Sequence, residues 1–197
     1  TVTLPQEEFD YLKEMISLAS GNILIVFSNK SYHITDAGVI TTLDTPKNYA
    51  SGVSDASDQI WVLKPLDTIG ITQYNAFKWN LTSNSVIEFD IKNLYSRNHA
   101  SISKNKTLAL FPSSSGFFVI NTLNNEIKSI SLLIPQSYYS DNREVISDDG
   151  TIWQTLSGNI QRINYDGSVV KYNNSSYFGE MIGLDQSDQS KLWVKSY

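Results

Sequence analysis

Val145-Ile146-Ser147-Asp148-Asp149-Gly150-Thr151-Ile152-Trp153 is the stretch that decides the fold, because its order of apolar pair, serine, acidic turn and Ile-Trp returns along almost the whole chain. Gly52-Val53-Ser54-Asp55-Ala56-Ser57-Asp58-Gln59-Ile60-Trp61 repeats it. So does Met181-Ile182-Gly183-Leu184-Asp185-Gln186-Ser187-Asp188-Gln189-Ser190-Lys191-Leu192-Trp193. Met15-Ile16-Ser17-Leu18-Ala19-Ser20-Gly21-Asn22-Ile23-Leu24 and Ser101-Ile102-Ser103-Lys104-Asn105-Lys106-Thr107-Leu108-Ala109 are fainter copies.

The first apolar anchor of each copy is Ile16, Val53, Ile102, Ile146 and Ile182, so the unit recurs after 37, 49, 44 and 36 residues. The second anchors, Ile23, Ile60, Leu108, Ile152 and Leu192, keep step. After each Ile-Trp-type strand, alternation predicts a third strand at 31–35, 76–80, 116–121 and 159–164. A turn of small polar residues follows, and then a fourth strand at 39–43, 86–90, 126–130 and 169–172. Four short strands per unit at this period indicate an all-β chain, a β-propeller of four-stranded antiparallel blades. The fifth unit holds only two strands before Tyr197, so the expectation is a five-bladed ring in which Thr1–Leu4 closes the last blade. A fragment of a larger propeller is the alternative. Pro5 to Ala19 also matches helical spacing, and a short helix or turn ending near Lys13 is expected there. The whole chain, 1–197, reads as one propeller domain.

These blades resemble the β-propeller repeat families whose D-G-x-I-W strand is followed by G-x-I-x-R-I-x-x-D-G, as in sensor-type and NHL-like propellers. The likeness is nearest over 148–174 and looser in the second unit, which carries an insertion from Pro65 to Tyr74. Such a resemblance implies architecture and leaves function open, since propellers host lectins, scaffolds, hydrolases and lyases.

Composition narrows the classes. The chain has 197 residues, 41% hydrophobic and 18% charged, with a net charge of -5. That content argues against disorder, and the negative balance argues against a nucleic-acid partner, whose phosphates require a positive field. No cysteine is present, which excludes disulfides and thiolate chemistry. No apolar run approaches a membrane span, so no membrane insertion is expected. The chain begins with Thr1 rather than Met, so an upstream segment removed from the chain is expected; partner domains on a longer chain are an open alternative.

The connectors between the outer strand of one blade and the inner strand of the next each hold tyrosine. They carry Tyr11, Tyr49, Tyr95 with Arg97 and His99, Tyr138 and Tyr139 with Arg143, and Tyr177 with Phe178. Flat amphipathic rings beside adaptable polar groups suit a recognition surface. Tyr49, Tyr95, Arg97, His99, Tyr138, Tyr139, Arg143 and Tyr177 are therefore the candidate ligand-binding residues, the competing reading being packing between blades. Trp61, Trp153 and Trp193 share one register of the second strand and read as inter-blade core. Asp55, Asp58, Asp148, Asp149, Asp185 and Asp188 could offer oxygens to calcium, although turn chemistry accounts for the same spacing; no other cofactor is implied. His33 and His99 are the only histidines, and no nucleophile elbow, phosphate-cradling loop or metal motif is present. No catalytic residue is assigned.

The expectation from sequence is thus a non-catalytic module that recognises a carbohydrate or protein on a cell surface. An adhesin or the host-attachment domain of a virus or phage would fit, extracellular or on a virion. A protein-interaction scaffold or sensor propeller is the alternative, and a propeller hydrolase or lyase the third reading.

Overall fold

The computed structural model describes residues 11–66, 73–94, 100–113, 116–131, 144–156, 159–172, 178–185 and 187–196. The chain divides into two compact units, Thr1–Ser96 and Arg97–Tyr197. In the first unit, β1 (Leu12–Ser17), β2 (Ile23–Phe27), β3 (Lys30–Ile34) and β4 (Ile40–Asp44) form one antiparallel sheet. Next come β5 (Ser51–Ser54), β6 (Ile60–Leu66), β7 (Gln73–Asn80) and β8 (Ser85–Leu94), again paired in chain order.

The second unit repeats the plan. It contains β9 (Ser101–Ile102), β10 (Leu108–Ser113), β11 (Gly116–Asn121) and β12 (Glu126–Ser131). A further sheet is built from β13 (Glu144–Ile146), β14 (Ile152–Leu156), β15 (Asn159–Ile163) and β16 (Val169–Tyr172), and the pair β17 (Phe178–Leu184) and β18 (Leu192–Ser196) follows. Among the described residues, four sets of four strands and a two-stranded fifth make this a β-propeller of about five blades. The closing strand expected at Thr1–Leu4 lies outside the described residues, as does most of the helical segment proposed for 5–13. Leu12 and Lys13 belong to β1, because the apolar positions there serve a sheet face rather than a helix stripe.

The repeated turn sets the geometry of every inner hairpin. Its first residue is Leu18, Asp55, Ser103, Ser147 or Asp185; the amide of each donates across the hairpin, to the carbonyls of Asn22, Gln59, Leu108, Thr151 and Lys191 at 2.9 to 3.0 Å. In the four-residue-spaced versions a residue of positive φ completes the turn: Gly21 at 86°, Asp58 at 58° and Gly150 at 84°. At Gly150 the requirement is double, since a Cβ would also lie 2.5 Å from the Tyr165 ring.

Counting from these turns shifts the register read from sequence. Ile102 and Ile146 immediately precede the turn residue, whereas Ile16 and Val53 stand one position earlier and Ile182 one earlier still. The physical reason is that the serine used to align the copies opens the turn itself at Ser103 and Ser147 but precedes the turn residue at Ser17 and Ser54, so it does not mark one register. The tryptophan register does hold. Trp61 pairs with Val53, Trp153 with Val145 and Trp193 with Gly183, each pair two residues from the turn. The insertion after Pro65 is absorbed as a longer hairpin, with Pro65 opposite Tyr74 and Leu66 opposite Gln73.

Blades pack face on face within each unit. Ile16, Leu24 and Val26 of the first blade meet Ile60, Val62, Phe77 and Trp79 of the second. Leu110, Phe117, Val119 and Ile130 of the third meet Ile146, Ile152 and Ile163 of the fourth. Trp153 and Ile160 are covered by Leu184, Leu192 and Val194 of the fifth. Each such aliphatic side chain contributes about 1.5–3 kcal/mol on full burial. Neighbouring turns are also tied at the rim. Asp58 Oδ1 accepts the amides of Ala19 and Ser20 at 2.6 and 3.2 Å. Asp148 Oδ1 accepts the Asn105 amide at 2.9 Å, while its Oδ2 accepts the Gln189 side-chain amide at 2.7 Å.

Candidate functional site

The inner strands of the second unit position the features that carry chemistry. Between β9, β13 and β17 lies a cavity of about 400 Å³, walled by Ile102, Val145 and Ile146 and rimmed by Lys104, Asp185, Gln189 and Trp193. The rim is held rigidly. Gln189 Oε1 accepts the Asp148 amide at 2.8 Å, and Trp193 Nε1 donates to Asp185 Oδ2 at 3.0 Å. The Ser187 hydroxyl, then the Ser187 and Asp188 amides, hold the Asp185 carboxyl down to about 2. Asp185 therefore stays ionised over the working pH range and transfers no proton.

The group poised for proton transfer begins the strand whose next two residues wall that cavity. Glu144 is 7% exposed, and burial pushes its carboxyl up to about 7, the hydrogen bond from Gln154 pulling the other way. Gln154 Nε2 donates to Glu144 Oε1 at 3.0 Å, and Gln161 Nε2 donates to Gln154 Oε1. The chain of three follows from strand geometry: Glu144 pairs with Gln154 and Gln154 with Gln161, so all three share one face of the blade. A carboxyl that titrates near neutrality on an innermost strand is suited to act as an acid or a base. Sequence reasoning missed it by one residue, since the repeat was read from Val145 onward. The available signal was a polar stripe, Glu144, Gln154 and Gln161, at the register of an otherwise apolar face.

Of the tyrosine-rich connectors, Tyr49 is described and it sits inside. It is 3% exposed. Its hydroxyl donates to Glu14 Oε2 at 2.6 Å, which also accepts the Gly52 amide at 2.9 Å, and Lys13 Nζ donates to the Tyr49 carbonyl at 2.8 Å. Burial first, and then the charge and hydrogen bond of Glu14, push this hydroxyl far above the usual tyrosine range. Tyr49 thus joins the first blade to the second instead of presenting a binding ring, because a hydroxyl this deeply desolvated needs an internal acceptor. Tyr95, Arg97, His99, Tyr138, Tyr139, Arg143 and Tyr177 lie outside the described residues. Tyr11 is 89% exposed.

The six aspartates considered for calcium are engaged with turns. Asp55 Oδ1 accepts the Ser57 and Gln59 amides and its Oδ2 the Trp61 indole N–H, at 2.8, 3.0 and 2.9 Å. Asp58 and Asp148 tie neighbouring blades as described above. Asp149 accepts from the Ser147 hydroxyl and the Thr151 amide, and Asp188 from the Ser190 amide and hydroxyl. Among the described residues no three His, Asp or Glu side chains converge as a metal set, and no helix is long and apolar enough to cross a membrane. His33 Nε2 lies 3.2 Å from Asn22 Nδ2 on the first blade. Trp61 and Trp153 are buried as expected, but Trp193 is 60% exposed.

No protein-family model matches the sequence, and no curated protein matches it. Solved structures do. A streptogramin B lyase superposes with a TM-score of 0.65 at 15% identity, covering 99% of this chain and 65% of its own. A catalytically inactive histidine-to-alanine virginiamycin B lyase from Staphylococcus aureus, solved with quinupristin, gives a TM-score of 0.60 at 14% identity, covering 88% of this chain and 58% of the lyase. The Dos1 propeller gives 0.59 at 10% identity over 84% of this chain and 49% of its own. The chain thus spans less than two thirds of the length of the lyases. At these identities the likeness establishes the propeller fold; the finer likeness to sensor-type or NHL-like blades is not supported. It also corrects the functional expectation. The solved propellers that resemble this chain include lyases, so the reading as a non-catalytic module for carbohydrates or proteins on a cell surface is withdrawn.

Proposed function

We infer that the protein is a propeller enzyme of the lyase kind, which acts on a small molecule by proton transfer with Glu144 as the acid–base group. The observation that carries this reading is the Glu144 carboxyl, raised to about 7 by burial on an innermost strand. A lyase must remove a proton and return one to the group that departs, and a group with a pKa near the working pH does both most effectively. Gln154 and Gln161 fix the orientation of the carboxyl. The neighbouring cavity of about 400 Å³ is of the size that a small substrate occupies. The fold shared with streptogramin B lyase and virginiamycin B lyase makes streptogramin B compounds the first substrate class to try.

The test is incubation with quinupristin, following loss of the parent compound by liquid chromatography with tandem mass spectrometry, which separates an isomeric elimination product, across pH 5 to 9, for the parent chain and Glu144→Gln. Glutamine preserves the acceptor for Gln154 and removes the titrating proton. Turnover that rises through pH 7 and falls at least 100-fold in Glu144→Gln, with the fold intact, is expected. Equal turnover in the two proteins would exclude Glu144 from the chemistry, and no turnover in either would exclude this substrate class.

A further inference from the structure

The cavity of about 400 Å³ is walled entirely by residues of the second unit, and its shape follows from the repeat. Ile102, Ile146 and Leu184 each stand immediately before the first residue of their turn, so one register of three successive inner strands supplies an aliphatic wall. The same register holds Ser17 and Ser54 in the first unit, so this apolar wall belongs to the second. Two positions before the turn residue, the five copies carry Ile16, Val53, Ser101, Val145 and Gly183. Gly183 alone brings no side chain to its strand, and a Cβ built there would meet nothing within 4 Å. A slot therefore opens over the Gly183 backbone, beside its cross-strand partner Trp193. The fourth blade shows how a slot over glycine is filled from within, since there the Tyr165 ring lies directly on Gly150.

The polar rim of the cavity has its hydrogen bonds already made. Gln189 spends both ends of its amide on Asp148, accepting the backbone N–H at 2.8 Å and donating to Oδ2 at 2.7 Å. Asp185 Oδ1 accepts the Ser187 amide, the Ser187 hydroxyl and the Asp188 amide, while Oδ2 accepts the Trp193 indole N–H. Lys104 and Asp185 are of opposite sign, so the rim favours neither an anion nor a cation.

We propose that the slot between Gly183 and Trp193 binds an uncharged planar aromatic group, which anchors the substrate beside the strand of Glu144. The anchoring role rests on the reading of the cavity as the seat of the Glu144 substrate; the ring site itself does not. The bound ring supplies over Gly183 what Tyr165 supplies over Gly150, and it stacks on an indole whose N–H is already held by Asp185. An apolar cavity of roughly 150 Å³ suffices for benzene, so about 400 Å³ admits a bicyclic ring. Val145 and Ile146 follow Glu144 directly, and at about 3.3 Å per residue a ring against them lies within roughly 7 Å of the Glu144 backbone.

The test is ligand-observed saturation-transfer NMR with indole, indole-3-acetate and tryptamine, on the parent chain, Trp193→Ala, Ile102→Trp and Glu144→Gln, each verified as folded by circular dichroism. Indole is expected to bind saturably. Indole-3-acetate and tryptamine should bind at least tenfold more weakly, because each brings a charge that the balanced rim does not compensate. Trp193→Ala removes the stacking face and Ile102→Trp fills the cavity, so each should weaken indole at least tenfold, whereas Glu144→Gln should bind indole as the parent does. No saturable binding of indole would overturn the proposal, as would equal affinity for the charged analogues or undiminished affinity in Trp193→Ala and Ile102→Trp. Binding is read without turnover, so the two readings fail separately. A chain that binds indole and transforms no substrate keeps the ring site and loses the Glu144 chemistry, while turnover without indole binding keeps the chemistry and overturns the ring site.

Discussion

Replacing Glu144 with glutamine should make the stability of this protein less sensitive to pH, with a size and sign that follow from the geometry. Burial lifts the carboxyl from 4.5 to about 7 in the folded chain. A difference of that size corresponds to about 3 kcal/mol between the protonated and ionised forms. Between the two values the unfolded chain has released a proton that the folded chain keeps, so stability falls as pH rises. The contribution is fully present below 4.5 and lost once pH passes about 7. Glutamine retains an oxygen for the Gln154 amide and carries no proton to lose, so the variant omits this slope. The assay is thermal unfolding by circular dichroism at intervals from pH 4.5 to 8.5. The melting temperature of the variant relative to the parent should rise across the window by roughly 6–12 °C, at about 2–4 °C per kcal/mol for a chain of this size. Parallel curves for the two proteins would refute the reasoning, for they would mean that Glu144 titrates as an exposed carboxylate.

The two tryptophans of the last blades offer a contrast. Trp153→Ala should cost about 3–5 kcal/mol, since the ring is enclosed by Leu184, Leu192 and Val194, whereas Trp193→Ala in the isolated chain should cost less than about 1 kcal/mol because the ring is exposed; urea titrations compare them directly. Gly52→Ala should destabilise by about 1–3 kcal/mol, because the new Cβ would stand 2.6 Å from the Tyr49 hydroxyl and 2.9 Å from Ile60 Cγ2. Loss of the normal ultraviolet titration range of Tyr49 is expected in the parent and its partial return in the variant.

What the sequence revealed followed from chemistry that is local. Turns built from Ser, Asp, Asn and Gly fix where hairpins reverse, and the third and fourth strands fall within a few residues of their expected places; β11 and β16 coincide with theirs. The tryptophan register was readable because a large ring repeated at one offset from a turn marks one face. The inner-strand anchors were not, because the serine that aligns the copies opens the turn at Ser103 and Ser147 but stands one residue before it at Ser17 and Ser54. Tyr49 could not be placed from sequence either. A connector tyrosine looks the same whether it faces solvent or a carboxylate one blade away, and only the approach of Glu14 decides. Glu144 was obscured for the same reason, since a single acidic residue acquires its character from the Gln154 and Gln161 side chains brought beside it by pairing.

The ties between neighbouring turns bear on how the molecule opens. The amides of Ala19 and Asn105 sit in hairpin tips, where exchange with solvent deuterium is ordinarily rapid. Here each donates to an aspartate of the adjoining blade, so fraying of its own hairpin does not free it unless the neighbour also lets go. Exchange at these two amides therefore reads out separation of adjacent blades, and each pair stitched in this way behaves as one cooperative unit instead of two independent hairpins.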